Sequence, residues 1–317
     1  MKIYDCSQQV YLKGRFYGPR QNDIVRYLKQ YAGEFGHEFI NDWRKADVVF
    51  TNDVFWSETT PGKRKVKRMD GVFTRNDLAS RNEELNAAAR EADHVIFISD
   101  FSRDSYFNLY GEELKQHSVI RNAADPAIFY PGLTWSDDEI HVAIAVASHW
   151  GRPEKRLDDL LILADMSPDI EFVILGQYPS DARRPDNVRV RGYVDSPEVI
   201  ANSLRQADVM VSLFYKDAYP KTMVQAVYCG LPVLYTWSGG QHEIPATGVT
   251  VTDTVGRDQW FSFYDEVPRL NQFKLRDSWT EFQYKYPQLK REAMAFRGRN
   301  RFHSMLREYY GIFQLAL

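Results

Sequence analysis

Apolar positions along this chain fall into two recurring patterns: short continuous runs of strand length, and longer stretches with apolar residues at helical spacing. Residues 2–6 form a first short run. A polar, glycine-bearing loop follows at 13–22, and 23–34 carries Ile24, Tyr27, Leu28 and Tyr31 on one helical face. Gly36 stops that helix, and a new strand runs to Ile40. Residues 46–52 (ADVVFTN) predict a third strand. The stretch 62–68 is basic, with Lys63, Arg64, Lys65, Lys67 and Arg68, and it reads as a solvated strand edge of which alternation hides half. Residues 76–91 are helical, 94–99 (HVIFIS) a strand, and Ser99 or Asp100 can cap a helix that ends at Gly111. Residues 117–122 give another strand, and an irregular stretch ends at Pro131.

The polar segment 132–138 is the expected linker, after which the pattern restarts. Strands are expected at 140–147, 170–175 and 188–194, with helices at 155–166 and after Ser196-Pro197. The stretch 207–244 (ADVMVSLFYKDAYPKTMVQAVYCGLPVLYTWSGGQHEI) reads as strand, polar loop, short helix, strand and glycine turn. Pro220 suits the start of its helix, with Asp217 just upstream. Beyond Asp253 the pattern is mostly helical. Strands alternating with helices predict parallel sheets with crossover helices, here two Rossmann-like α/β domains facing across a cleft. The expected division is 1–132, 133–295 and a terminal helix at 296–317. The loop before the 221–228 helix then sits at the carboxyl end of a parallel strand. Open α/β sheets bind ligands there, and a helix N-terminus favours an anionic group such as a phosphate.

Composition narrows the classes. The 317 residues are 44% apolar and 26% charged with net charge -3, which fits a globular protein and gives no sign of a nucleic-acid binder. Cys6 and Cys229 are the only cysteines, which suits a reducing cytoplasm. The opening MKIYDCSQQV does not resemble a signal peptide, and no apolar run reaches the ~18 residues of a membrane span, so a cytoplasmic location is expected. The sequence holds no Gly-x-Gly, no Walker loop, no Asp-x-Asp, no His-x-x-x-His and no Gly-x-Ser-x-Gly. Dinucleotide binding by the usual fingerprint, a metal–diphosphate carboxylate pair, a zinc helix and a serine-hydrolase elbow are therefore not expected.

Several segments, in order, resemble the retaining GT-B glycosyltransferases of glycosyltransferase family 4, also called glycosyl transferases group 1. The donor motif of that family is an acidic residue, seven residues, then Glu, followed by Cys-Gly-x-Pro-Val. Here Asp217 takes the first position and Gln225 the second, before Cys229-Gly230-Leu231-Pro232-Val233 and Gly239-Gly240. Gly36-His37-Glu38, the 92–111 unit, Val119-Ile120-Arg121-Asn122 through Pro131, and Pro153-Glu154-Lys155 match other pieces. The resemblance covers about 36–317. Gln225 replaces the second acid, Trp150 stands where the family has an Arg, and Met69-Asp70-Gly71 stands where it has a His element.

The resemblance implies transfer of a hexosyl group from a nucleoside diphosphate sugar, UDP- or GDP-linked, to an acceptor hydroxyl, with retention and without a metal or other cofactor. It implies catalytic roles for Asp217 and for Asp70, which would orient the acceptor or contact the donor sugar. It places Lys155 and Arg152 on the diphosphate together with the amides of Tyr219, Lys221 and Thr222. Gln225 would meet the ribose, Gly176, Arg191 and Tyr193 would border the base, and Tyr17-Gly18 would close on the donor. Plainer roles fit the same residues: a dipole-favoured acid at Asp217, a solvated helix start at Lys155, an Asp-Gly turn at Asp70. The acceptor, whether glycan, lipid, protein or modified DNA, is left open, and the basic run at 63–68 raises peripheral contact with an anionic acceptor. A nucleotide-sugar epimerase, phosphorylase or trehalose-type synthase on the same fold and a catalytically weakened nucleotide-sugar-binding protein also stay open.

Overall fold

The computed structural model describes residues 1–6, 10–12, 15–17, 23–52, 62–111, 113–132, 138–252, 261–296 and 298–315, with the backbone alone at 10–12, 15–17 and 299. The chain divides into two compact units, 1–122 with 301–317, and 123–300.

The first unit is built on a six-stranded parallel sheet. Its strands are β1 (Lys2–Asp5), β4 (Glu38–Ile40), β5 (Val48–Thr51), β6 (Arg64–Met69), β7 (His94–Phe97) and β8 (His117–Val119), in the order β4-β1-β5-β6-β7-β8. β5 and β7 are buried along their whole length, as expected for strands covered on both faces. Helices α1 (Asp23–Tyr31), α2 (Arg81–Glu91) and α3 (Asp100–Tyr110) connect the strands. α3 begins with a capping box between Ser99 and Ser102 and ends at Gly111 in the left-handed conformation, so both of its ends have their backbone groups satisfied. The antiparallel hairpin β2 (Val10–Leu12) and β3 (Arg15–Tyr17) lies within and beside the segment expected to be loop.

Residues 301–315 of helix α8 (Arg299–Leu315) belong to this unit. Phe302 packs edge-on against Tyr27 at 5.2 Å, and the Tyr310 hydroxyl donates to the Leu28 carbonyl. The Tyr309 hydroxyl accepts from Arg68 Nε at 3.1 Å.

The basic run corrects an expectation. It is β6, an interior strand between β5 and β7, and no solvated edge. Lys67 is 0% exposed and Arg68 3%. Lys63 donates to the carbonyls of Arg44 and Ala46, Lys65 pairs with Glu91, and Arg68 binds Asp70 and Asn122 as well as Tyr309. These cations are consumed internally because burying a charge is costly unless it is paired.

The second unit carries β9 (Val142–His149), β10 (Glu171–Gln177), β11 (Val188–Gly192), β12 (Val209–Ser212), β13 (Val233–Thr236) and β14 (Gly248–Val251). All pair in parallel, in the order β11-β10-β9-β12-β13-β14. Helices α4 (Leu157–Met166), α5 (Pro197–Arg205), α6 (Lys221–Tyr228) and α7 (Gln272–Met294) flank it. α7 buries Leu275, Trp279, Phe282 and Tyr286, and Trp279 Nε1 donates to Ser167 Oγ at 2.7 Å.

The division falls after Asn122, upstream of the linker expected at 132–138, of which 133–137 lie outside the described residues, because the 123–131 segment packs within the second unit. Arg205 donates to the Ile128 carbonyl and covers the Tyr130 ring at 4.3 Å, while Pro131 lies against Gly230. Among the described residues no helix is long and apolar enough to cross a membrane.

Candidate active site

The strand order of the second unit reverses between β9 and β12, so a crevice opens at their carboxyl ends. Two loops leave the sheet there. After β9 the chain passes Trp150 into a one-turn 3-10 helix, Pro153–Lys155, and Arg156 adopts φ 51 before α4 begins. The helix expected to start at 155 is broken at that point, which frees Lys155 to reach across the crevice. After β12 the chain passes Phe214 to Pro220, which caps α6.

The two loops meet in one ion pair. Lys155 Nζ lies 2.8 Å from Asp217 Oδ2, with the two side chains 11% and 23% exposed. The same ammonium sits 3.9 Å from the Phe214 ring centroid, a cation–π contact. The other carboxylate oxygen, Oδ1, accepts from the Tyr219 amide at 3.3 Å. A cation and the partial positive charge of the α6 N-terminus thus converge on one small region.

The Asp217 backbone is held tightly. Gly240 N donates to the Asp217 carbonyl at 2.8 Å, and Lys216 N donates to Ser238 Oγ at 3.0 Å. Gly239 has φ +66 and packs so close that a Cβ would lie 2.5 Å from the Asp217 carbonyl oxygen. Gln241, 0% exposed, binds Ser212 Oγ, the Phe214 carbonyl and Thr236 Oγ1, which joins the ends of β12 and β13. Sequence reasoning picked out Gly239-Gly240 but missed Ser238, Gln241 and Lys216; the polar residues beside a glycine pair were the available signal. Lys216 is a non-glycine residue at φ 49, a costly conformation that the surrounding bonds maintain.

Other expected residues fall as follows. Gly176, next to last in β10, has φ +128, and a Cβ there would lie 1.8 Å from the Ala147 carbonyl oxygen, so only glycine lets β10 pass the end of β9. Trp150 is a core residue, 3% exposed, whose Nε1 donates to the Leu175 carbonyl at 2.9 Å. Arg152 is exposed and its guanidinium binds Glu154 Oε1, with Nε at 2.7 Å. Thr222 Oγ1 donates to the Val146 carbonyl at 3.2 Å and ties α6 to β9. Tyr219 is buried and Lys221 exposed at the start of α6. Gln225, one turn on, is 2% exposed, and its Oε1 is buried with no hydrogen-bond partner among the described residues. Arg191 and Tyr193 are exposed at the end of β11, with the Tyr193 hydroxyl 3.5 Å from Asp195 Oδ1.

Asp70 belongs to the first unit. It follows β6 with its side chain 65% exposed and one oxygen held by Arg68, which is buried. Tyr17 ends β3, with its side chain outside the described residues, and Gly18 lies outside them altogether. His94 is structural: Nε2 lies 3.0 Å from Ser118 Oγ, and burial, opposed by its contact to Gln116, lowers its pKa.

Comparison with known proteins bears on this geometry. Residues 142–267 match the family model described as Glycosyl transferases group 1. A human phosphatidylinositol N-acetylglucosaminyltransferase subunit is 25% identical over 208 residues. That match takes in 62% of this chain and spans 43% of the human protein's length. Anabaena HepE in complex with UDP-glucose superposes with TM-score 0.66 at 15% identity, covering 98% of this chain and 100% of that one. Sucrose-phosphate synthase from Thermosynechococcus elongatus gives TM-score 0.62 at 16% identity over 94% of this chain and 81% of that one. The two six-stranded parallel sheets with flanking helices are those of the GT-B fold, and the likeness to the group 1 family extends over 142–267.

Proposed function

We propose that the protein moves a hexosyl group from a UDP- or GDP-linked sugar to an acceptor hydroxyl, with retention of configuration and without a metal. The observation that carries this reading is the Lys155–Asp217 pair beside the α6 N-terminus at the β9/β12 switch point. A departing diphosphate needs positive charge, and Lys155 with the first-turn amides of α6 supplies it where charge develops. Arg152 adds a second cation once it leaves Glu154. Gln225 offers a buried carbonyl oxygen that lacks a donor among the described residues, which a ribose hydroxyl would provide. Asp217 meets the donor sugar, Asp70 orients the acceptor, and Gly176, Arg191 and Tyr193 border the base. With the leaving group stabilised in this way, attack from the same face needs no protein nucleophile.

The test is proton NMR of UDP- and GDP-sugars with the protein and a chelator, with and without simple glycoside acceptors. The reading predicts acceptor-dependent release of the nucleoside diphosphate and a product with the donor's anomeric configuration. An epimerised sugar nucleotide, dependence on inorganic phosphate, or turnover only after a divalent metal is restored would contradict it. The burial of Lys67 and Arg68 in β6 gives no support to an anionic acceptor bound at that run.

A further inference from the structure

Asp217 holds Lys155, which the proposed function assigns to a diphosphate, and the amide of Tyr219 in the loop before α6. Lys155 Nζ is 2.8 Å from Oδ2, and the Tyr219 amide is 3.3 Å from Oδ1. A carboxylate gripped by a lysine and by a backbone amide just ahead of a helix fills the position an anionic ligand would take. We propose that Asp217 is a built-in competitor for the diphosphate: its carboxylate occupies the anion position in the free protein and is displaced when a diphosphate binds. The inference rests on the reading of the site given above.

The geometry makes the displacement a side-chain event. Gly240 N holds the Asp217 carbonyl, Ser238 Oγ holds the neighbouring Lys216 amide, and Gly239 packs against the Asp217 backbone. The loop therefore stays in place while the carboxylate changes rotamer. A sugar nucleotide gives the displaced carboxylate new partners, the hydroxyls of the sugar beside the diphosphate. The product diphosphate has no sugar, so the expelled carboxylate gains nothing and returns to Lys155. The device thus weakens product binding relative to donor binding and favours release after each turnover.

The test titrates inorganic pyrophosphate, UDP and GDP calorimetrically into the wild type, Asp217→Asn, and Asp217→Asn combined with Lys155→Gln. Apparent affinity falls by the fraction of protein in the competent state. If the pair is closed about nine-tenths of the time, removing the charge tightens pyrophosphate binding about tenfold. The gain is expected to vanish in the double variant, because Lys155 is the group released. Asp217→Ser serves the same purpose if the Asn variant does not fold. Pyrophosphate binding that is unchanged, weaker or absent in the folded single variant overturns the inference. Should pyrophosphate respond as expected while UDP and GDP bind no variant, the anion competition stands and the sugar-nucleotide reading fails.

Discussion

Replacing Gly239 by alanine tests how closely the glycine turn sets the Asp217 loop. The residue sits at φ +66, where an L side chain costs about 1–2 kcal/mol. The new Cβ would lie 2.5 Å from the Asp217 carbonyl oxygen, 2.9 Å from its nitrogen and 2.9 Å from the Lys216 carbonyl carbon. All three are backbone atoms, so none can rotate aside. Restoring an ordinary separation of about 3.5 Å requires a shift on the order of 1 Å. A displacement of about 1 Å in a catalytic group is worth on the order of 100-fold in rate, or about 2.7 kcal/mol of barrier. The conformational part alone lowers Tm by about 2–4 °C per kcal/mol in a unit of this size. Gly111→Ala is the control: its φ is +59 and nothing lies within 4 Å of the added Cβ. The assay measures kcat/KM by release of nucleoside diphosphate, alongside Tm by thermal melt. Both variants should lose a few degrees, and only Gly239→Ala should lose about two orders of magnitude in kcat/KM. Wild-type kcat/KM in Gly239→Ala with a control-like Tm would refute the claim that this turn sets the loop.

Three further outcomes are expected. Asp217→Ala should lower turnover of the sugar nucleotide by more than about tenfold, a loss above ~1.4 kcal/mol of transition-state stabilisation; an unchanged kcat removes it from the catalytic group. Trp150→Ala should lower the free energy of unfolding by about 3–5 kcal/mol in urea, since it empties a large core position and leaves the Leu175 carbonyl without its donor; a loss below about 1 kcal/mol would contradict its core placement. Burial, partly offset by a hydrogen bond with Thr51, pushes the Cys6 thiol up to about 12, and burial pushes Cys229 up to about 12. The folded thiols hold their protons more tightly than unfolded thiols, whose pKa is about 8.5. Their stabilising effect is therefore complete below about pH 8.5 and is lost as pH rises towards 12. Unfolding free energy should fall across that window, and native protein should resist iodoacetamide near pH 8 while urea-unfolded protein reacts.

The β/α alternation was legible because buried parallel strands read as short apolar runs, as at Val48–Thr51 and His94–Phe97. Caps were legible too: Ser99 and Ser196 accept from amides of the helices they precede, and Gly111 ends its helix left-handed. The basic strand was not. Its charges reach partners on distant segments, such as Tyr309 and Asn122, and no local pattern reveals tertiary pairing. The break at Arg156 was hidden for a related reason, since the residue has no glycine-like signature and is positioned by Pro268 and Tyr215. At the candidate site, Lys155, Asp217 and the glycine pair are named by the family resemblance, which does not reveal the Lys155–Asp217 contact. That contact depends on which loops the strand order brings together.

The most direct test of the account is a thermal-shift and hydrolysis screen of UDP-, GDP- and ADP-sugars on the wild type and Lys155→Ala. A ligand at about 100 times its Kd stabilises the protein by about 2.7 kcal/mol. The account predicts that a UDP- or GDP-sugar raises the wild-type Tm and is turned over, and that Lys155→Ala loses both effects while staying folded. Wild-type binding and rates in Lys155→Ala, or no response to any sugar nucleotide, would contradict it.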